Sequence, residues 1–304
     1  MPYAPCPMPL IMYELLDFGS GRKLEQVGGF LLDRPSTAAE GCAIQEPELW
    51  QSVDAKFVSE PQGSQRGYWT FFNPGFSSET VWSVHFPPIT LELKCSPFGH
   101  LGVFPEQRVN WQRIADLLSR SENCTVLNLF AYTGGSTLAA AKMGAKVVHI
   151  DSARNLLVRA RRNAELSRLA DAQVRWIAED AVRFVNRELK RKQRYNAIIL
   201  DPPSYGHGTA GNVWQINRDL PILLQNCFDL LSENPLFLLL TCHTPFFDEK
   251  KLAELVRRKG FSVESFPMEI PASTGRKLPA GCGVIAFPEN IQSSCCKGRS
   301  FLLG

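Results

Sequence analysis

Read for the spacing of hydrophobic and polar positions, the chain changes character about a third of the way along. Up to about residue 105, short runs of aromatic and β-branched residues alternate with turn signals. Tyr68–Phe72, Val81–Phe86 and Ile89–Leu93 predict strands, and Gly28-Gly29, Asn73-Pro74-Gly75 and Pro87-Pro88 predict turns. The pattern predicts a small antiparallel β-rich domain over residues 1–105. From residue 106 onward the period is different. Continuous apolar runs at Val126–Phe130, Lys146–Ile150, Gln173–Ala178, Asn196–Leu200 and Pro235–Thr241 read as buried parallel strands. Helical spacing at 107–120, 137–143, 153–168, 181–193, 214–231 and 249–259 alternates with them. Phe261–Phe266 and Gly283–Phe287 follow as two strands joined directly, through a loop at 271–281. The expected fold is therefore α/β, a doubly wound, Rossmann-like seven-stranded sheet over residues 106–290. Residues 291–304 read as a tail.

The first strand-turn-helix-strand unit, Val126–Asp151, carries the first chemical signal. Its turn, Ala131-Tyr-Thr-Gly-Gly135, allows close backbone approach to a ligand, and Ser136 reads as the N-cap of the helix that follows. Asp151 closes the second strand about twenty residues on, where a carboxylate suits the two hydroxyls of a ribose. This spacing fits a dinucleotide or S-adenosylmethionine (SAM), and the missing G-x-G-x-x-G counts against a pyrophosphate. Further carboxylates fall at later strand ends: Glu179-Asp180 after the third strand, and Asp201-Pro202-Pro203-Ser204-Tyr205 after the fourth. The fifth ends in Thr241-Cys242-His243. Asp151 and Asp180 also read as helix N-caps, and Cys242 as a small buried residue ending an apolar strand.

The series Asn128-x-Phe130-x-Tyr132-Thr133-Gly134-Gly135, Asp151, Asp180, Asp201-Pro-Pro-Ser-Tyr205 and Thr241-Cys242-His243 resembles class I SAM-dependent methyltransferases. Within them it is most similar to the bacterial large-subunit ribosomal RNA methyltransferases of the cytosine-5 type. The resemblance covers about residues 100–290 with specific motifs, and the direct joining of the last two strands belongs to it. It implies SAM as cofactor. Phe130, Ala131, Tyr132, Thr133 and Gly134 would wrap the cofactor, with Asn128 where most class I enzymes have a carboxylate. Asp151 would bind the ribose, Asp180 the adenine amine, and Asp201 would reach into the cleft. A Phe104-x-x-Gln107-Arg108 segment resembles the family's entry to the catalytic domain, whose polar residues reach the cofactor; the other reading is a linker helix with Arg108 solvated. The resemblance makes Cys242 the nucleophile that adds to carbon 6 of cytosine, with Asp201 the second catalytic residue. Pro202, Pro203 and Tyr205 would meet the substrate. The alternative keeps SAM and transfers methyl to nitrogen, through an Asp-Pro-Pro loop with Cys242 structural; Ser204 intervenes before the aromatic that such loops carry. The chain departs from the cytosine-5 group in showing no clear PUA module ahead of the catalytic domain.

Composition narrows the partners. Hydrophobic residues at 44% and charged residues at 21% are those of an ordinary globular protein. No run approaches the ~18 apolar residues of a membrane helix, and the proline-broken start is a poor export signal. The nine cysteines include no C-x-x-C pair, so free thiols in the cytoplasm are expected, and no metal site. Net charge is +3 but uneven: residues 1–105 hold 6 Lys/Arg against 11 Asp/Glu, and residues 151–195 hold 12 against 6. A polyanion, RNA and first of all ribosomal RNA, would meet the middle of the chain. Arg183, Arg187, Arg191 and Arg194 form one stripe there, either an RNA rail or a solvated helix face. The aromatic residues of the N-terminal third, Trp69, Phe71, Phe72, Phe76, Trp82 and Phe86, read as bases' stacking partners or as core.

Overall fold

A computed structural model of the chain describes residues 12–289 apart from 61–65, 120 and 208–212. The tail expected over 291–304, and most of the loop expected after Tyr205, lie outside the described residues. The chain divides into two compact units. The first comprises the chain up to Arg108 together with Arg162–Arg168 and Glu269–Ala280; the second comprises the remainder.

In the first unit, β1 (Tyr13–Gly19), β2 (Arg22–Val27), β3 (Phe30–Pro35), β4 (Ala55–Ser59) and β5 (Gly67–Phe71) form one sheet in that order. It is antiparallel except for the parallel pair β3–β4. β6 (Val81–Phe86) and β7 (Ile89–Lys94) form a hairpin, with Ile89, Leu91 and Leu93 alternating inward as the pattern predicts. The first three strands escaped sequence reading because charged residues sit at buried positions: Asp17, Glu25, Asp33 and Arg34. They are paired. Glu25 accepts from Arg34 Nε at 2.7 Å and Nη2 at 2.9 Å, and from the Tyr13 hydroxyl at 2.8 Å. Burial raises the Glu25 pKa, but Arg34 and Lys23 outweigh it and hold the carboxyl at about 2. The aromatic residues pack on one another, Phe30 stacked on Phe76 at 4.0 Å with Trp82 edge-on to both, so the packing reading holds for these.

The second unit is built on a seven-stranded sheet. Its elements run α1 (Arg108–Leu118), β8 (Thr125–Leu129), α2 (Gly135–Lys142), β9 (Lys146–Asp151), α3 (Arg154–Leu166), β10 (Val174–Ala178), α4 (Ala181–Lys190) and β11 (Ala197–Leu200). A short hairpin, β12 (Tyr205–His207) with β13 (Val213–Gln215), precedes α5 (Ile216–Leu230), β14 (Phe237–Cys242), α6 (Glu249–Val256), β15 (Phe261–Pro271) and β16 (Lys277–Pro288). The strand order is β10-β9-β8-β11-β14-β16-β15. β8–β11 and β14 are parallel, and β16 inserts antiparallel against β14. Leu127, Leu129, Ile198, Leu200, Leu238 and Leu240 fill the core with Phe184 and Leu220.

Four sequence expectations are corrected here. α2 is capped by Gly134 in the left-handed conformation (φ 93°), and Ser136 lies inside the helix. In α1, whose sequence pattern sets Val109 with Ile114, Leu117 and Leu118 on the apolar face, Val109 is exposed and Trp111 takes the inner position, against Gly135, where a Cβ would come within 2.4 Å of the indole. Trp214 belongs to β13 and not to the following helix. Most of the expected loop at 271–281 is strand, since Pro267 and Pro271 lie on the sheet's edge strand, where a missing N–H is tolerated.

Candidate active site

The parallel strands β8, β9, β10, β11 and β14 deliver their C-terminal ends to one side of the sheet, and the order reverses between β8 and β11. That reversal is where open α/β sheets bind ligands. The turn after β8 is tightly specified: Phe130 and Tyr132 both have positive φ (55° and 51°), beside Gly134 at 93°. Strain of this kind persists where surrounding bonds impose it. Ala131 N–H donates to the Ile150 carbonyl at 3.0 Å, and Tyr132 N–H to Asp151 Oδ2 at 2.9 Å. Asp151 Oδ1 accepts from Ala153 N–H at 2.9 Å, so the carboxylate ties the turn to the start of α3. Burial pushes the Asp151 pKa up, and these two N–H donors act against that. Each oxygen keeps a second lone pair for a ligand.

Asn128 lies beneath this turn, 2% exposed. Its amide donates to Thr137 Oγ1 at 2.9 Å, and Thr137 Oγ1 lies 2.9 Å from His149 Nδ1. Burial holds His149 neutral, with its pKa pushed down to about 3, and its Nε2 has no partner among the described residues. The residue read as a ligand contact is thus built into a buried strut under the loop. Thr133 is buried as well, and Phe130 packs on Trp214 at 5.1 Å.

Asp180 caps α4, accepting from Arg183 N–H at 2.9 Å. It lines a cleft of about 790 Å³ with Val182, Arg183, Trp214 and Arg218. Sequence reading did not single out Val182 or Trp214 as lining residues. The arginine stripe is largely spoken for. Both Glu179 oxygens lie 2.6 Å from Arg187, and Glu188 lies 3.4 Å from Arg191, which favours the solvated-face reading. Gln107 and Arg108 belong to the first unit, Gln107 buried in a 3-10 turn and Arg108 exposed.

The ends of β11 and β14 meet. Asp201 Oδ1 accepts from Thr241 Oγ1 at 2.8 Å and lies 3.4 Å from His243 Nε2. Ser204 and Thr244 hydroxyls are 2.8 Å apart, joining the Asp-Pro-Pro loop to the segment after β14. The Pro203 carbonyl accepts from Trp214 Nε1 at 2.7 Å. Pro202 is buried, while Pro203 and Tyr205 are exposed. Cys242 is 0% exposed, and burial pushes its thiol pKa up. Hydrogen bonding from Thr244 acts against that rise, and the nearby Asp201 carboxylate adds to it.

Strand order with an antiparallel β16 between β14 and β15, a glycine turn at the β8 tip and carboxylates at the next tips together describe a class I methyltransferase sheet. Residues 82–246 match the S-adenosylmethionine-dependent methyltransferase family, and the chain belongs to it. A SAM-dependent methyltransferase from Agrobacterium tumefaciens is 32% identical and superposes with a TM-score of 0.84 over 92% of this chain and 94% of that one. A methyltransferase from Streptococcus mutans shares the fold at 16% identity, with a TM-score of 0.71 over 92% of this chain and 76% of that one. The ribosomal RNA large subunit methyltransferase I of Aeromonas salmonicida is 32% identical over 148 residues, 47% of this chain. The match covers 36% of that relative's length. The chain is therefore a SAM-dependent methyltransferase. The residues fit the cofactor: a turn where Gly134 brings backbone close, and carboxylates on adjacent strand ends with lone pairs to spare. Among the described residues no helix is long and apolar enough to cross a membrane.

Proposed function

We propose that this enzyme methylates RNA, with ribosomal RNA as the substrate class, at carbon 5 of cytosine through Cys242. The supporting observation is the polar cluster that flanks Cys242 at the ends of β11 and β14, with Asp201 joined to Thr241 and His243 and the Ser204 hydroxyl joined to that of Thr244. The name of the Aeromonas relative supports the substrate class. Phe130–Gly134 and Asp151 hold the cofactor, Asp180 with Val182 and Trp214 frames its adenine end, and Asn128 supports the turn from below. Gln107 and Arg108 are the further polar contacts of this reading, and residues 1–105 form an accessory domain ahead of the catalytic one. The bound cofactor supplies an electrophilic methyl group. Cys242 as thiolate adds to carbon 6 of the base, which makes carbon 5 nucleophilic toward that methyl. Asp201, oriented by Thr241 and His243, takes the carbon 5 proton, and the Cys242–carbon 6 bond then breaks, returning the thiolate. Pro202, Pro203 and Tyr205 border the base.

Burial of Cys242 favours a second reading, transfer to a base nitrogen with Asp201 accepting the amine proton and Cys242 structural. The two separate on one experiment. RNA containing 5-fluorocytosine, incubated with enzyme and SAM, is expected to give a denaturant-stable protein–RNA adduct that Cys242→Ala abolishes. Full methylation of ribosomal RNA by Cys242→Ala would remove the carbon 5 mechanism and leave the nitrogen one.

A further inference from the structure

The segment that follows β14 carries two unusual features in a single residue. Thr244-Pro245-Phe246-Phe247 closes a turn, with Phe247 N–H donating to the Thr244 carbonyl at 3.2 Å. Proline at the second position and a positive φ of 72° at the third, Phe246, are the marks of a type II turn. The third position of such a turn favours glycine, and a bulky side chain there is strained. Phe246 is also 95% exposed, more than any other large hydrophobic residue among those described. Its neighbour Phe247 is buried, with Lys251 Nζ 3.9 Å over its ring, so the turn is anchored by one aromatic residue while the other projects into solvent. A turn selected for stability alone would carry glycine or asparagine at this point, and a soluble surface gains nothing from a bare phenyl ring.

The turn's position gives the ring a use. Thr244, its first residue, follows Cys242 by two positions, and its hydroxyl lies 2.8 Å from that of Ser204. Phe246 therefore lies two residues from one end of that contact, and Tyr205, 52% exposed, lies one residue from the other. Two exposed aromatic residues thus stand on the two loops that carry the candidate catalytic groups. We propose that Phe246 is a stacking platform for a nucleobase of the RNA substrate, holding the target base or its neighbour beside Asp201 and Cys242. This rests on the RNA reading above. A phenyl face binds any base and a ribose-phosphate chain offers it none, so the contribution is read as a preference for chain with bases over chain without.

The test measures anisotropy of a short fluorescein-labelled oligocytidylate and of an abasic ribose-phosphate oligomer of the same length, with the full chain. The wild type is expected to bind the oligocytidylate about tenfold more tightly than the abasic strand, a ratio typical of one stacked base. Phe246→Leu keeps apolar bulk but loses the π face, and is expected to lower oligocytidylate affinity to near the abasic level without changing abasic binding. Phe246→Trp is expected to retain the preference. Phe246→Gly is expected to lose it while unfolding at the same or higher denaturant concentration, because glycine relieves the positive φ; this separates lost recognition from lost folding. Equal preference for oligocytidylate in wild type, Phe246→Leu and Phe246→Gly would overturn the stacking role and leave the RNA reading standing. Equal wild-type affinity for the two oligomers would also overturn it. Binding of neither oligomer by the wild type would remove the RNA reading and this proposal together.

Discussion

The His149 strut offers a quantitative check on the cofactor half of the site. Its imidazole is fully buried, bonded through Thr137 to Asn128, and set 4.8 Å from the Trp176 ring. Protonation would place a charge at Nε2 with no acceptor among the described residues, which is why burial drives its pKa from 6.5 to about 3. Linkage fixes the sign. Between these two values the unfolded chain holds a proton that the folded chain does not, so the stabilisation from neutral His149 is complete above pH 6.5 and declines as pH falls toward 3. The slope is about 1.4 kcal/mol per pH unit, giving about 2.7 kcal/mol lost by pH ~4.5. Urea unfolding followed by tryptophan fluorescence, from pH ~7.5 down to pH ~4.5, measures it. Other groups titrate over this range, so the readout is the difference between wild type and His149→Gln. The substituted amide cannot titrate, and the gap between the two proteins is expected to narrow by about 2.7 kcal/mol across that range. A gap constant to within ~0.5 kcal/mol would refute the claim that a neutral, desolvated His149 supports the turn.

Three further outcomes are expected. Thr244→Val removes one donor from the Cys242 sulphur, so the rising limb of the methylation pH profile should move up by up to ~1 unit with SAM affinity unchanged; an unmoved limb would show that the hydroxyl does not serve a thiolate. Asp151→Asn should weaken SAM binding, measured by calorimetry, about 10- to 100-fold, as expected for a lost charge-assisted bond pair; unchanged affinity would take Asp151 out of the cofactor site. Glu25→Gln leaves Arg34 buried without its counter-charge and should cost roughly 3–5 kcal/mol of stability. Because Glu25 is held at about 2 rather than 4.5, its contribution in the wild type is present above pH 4.5 and falls away as pH drops toward 2, and a midpoint shift worth less than ~1 kcal/mol would contradict the pairing.

What could be read from the sequence follows the range over which each interaction acts. The parallel strands of the second unit were legible because burial on both faces demands unbroken apolar runs, and Val126–Leu129 or Phe237–Thr241 can serve little else. The placing of the strand-tip residues was legible for the same reason, since the sheet brings the ends of successive strands to one side whatever the loops do. The sequence misled where distant partners decide. Glu25 looks like a surface residue until Arg34, nine positions on, closes over it. That Asn128 donates its amide to Thr137, which in turn meets His149, is likewise invisible until the fold brings them together. Of the pair Phe246-Phe247 the sequence does not say which packs; the turn's geometry sends Phe246 outward and buries Phe247. The same distinction applies to Cys242. Its place at the end of β14 is a property of the strand and could be read in advance; the groups that act on its thiol, Thr244, Asp201 and Lys251, are assembled only by the folded chain. On the proposed function, the cofactor half of the site rests on local motif and sheet topology. The acceptor half is set by contacts between the β11 and β14 loops, and substitutions at Ser204, Thr244 and Phe246 should alter what is methylated while leaving SAM binding intact.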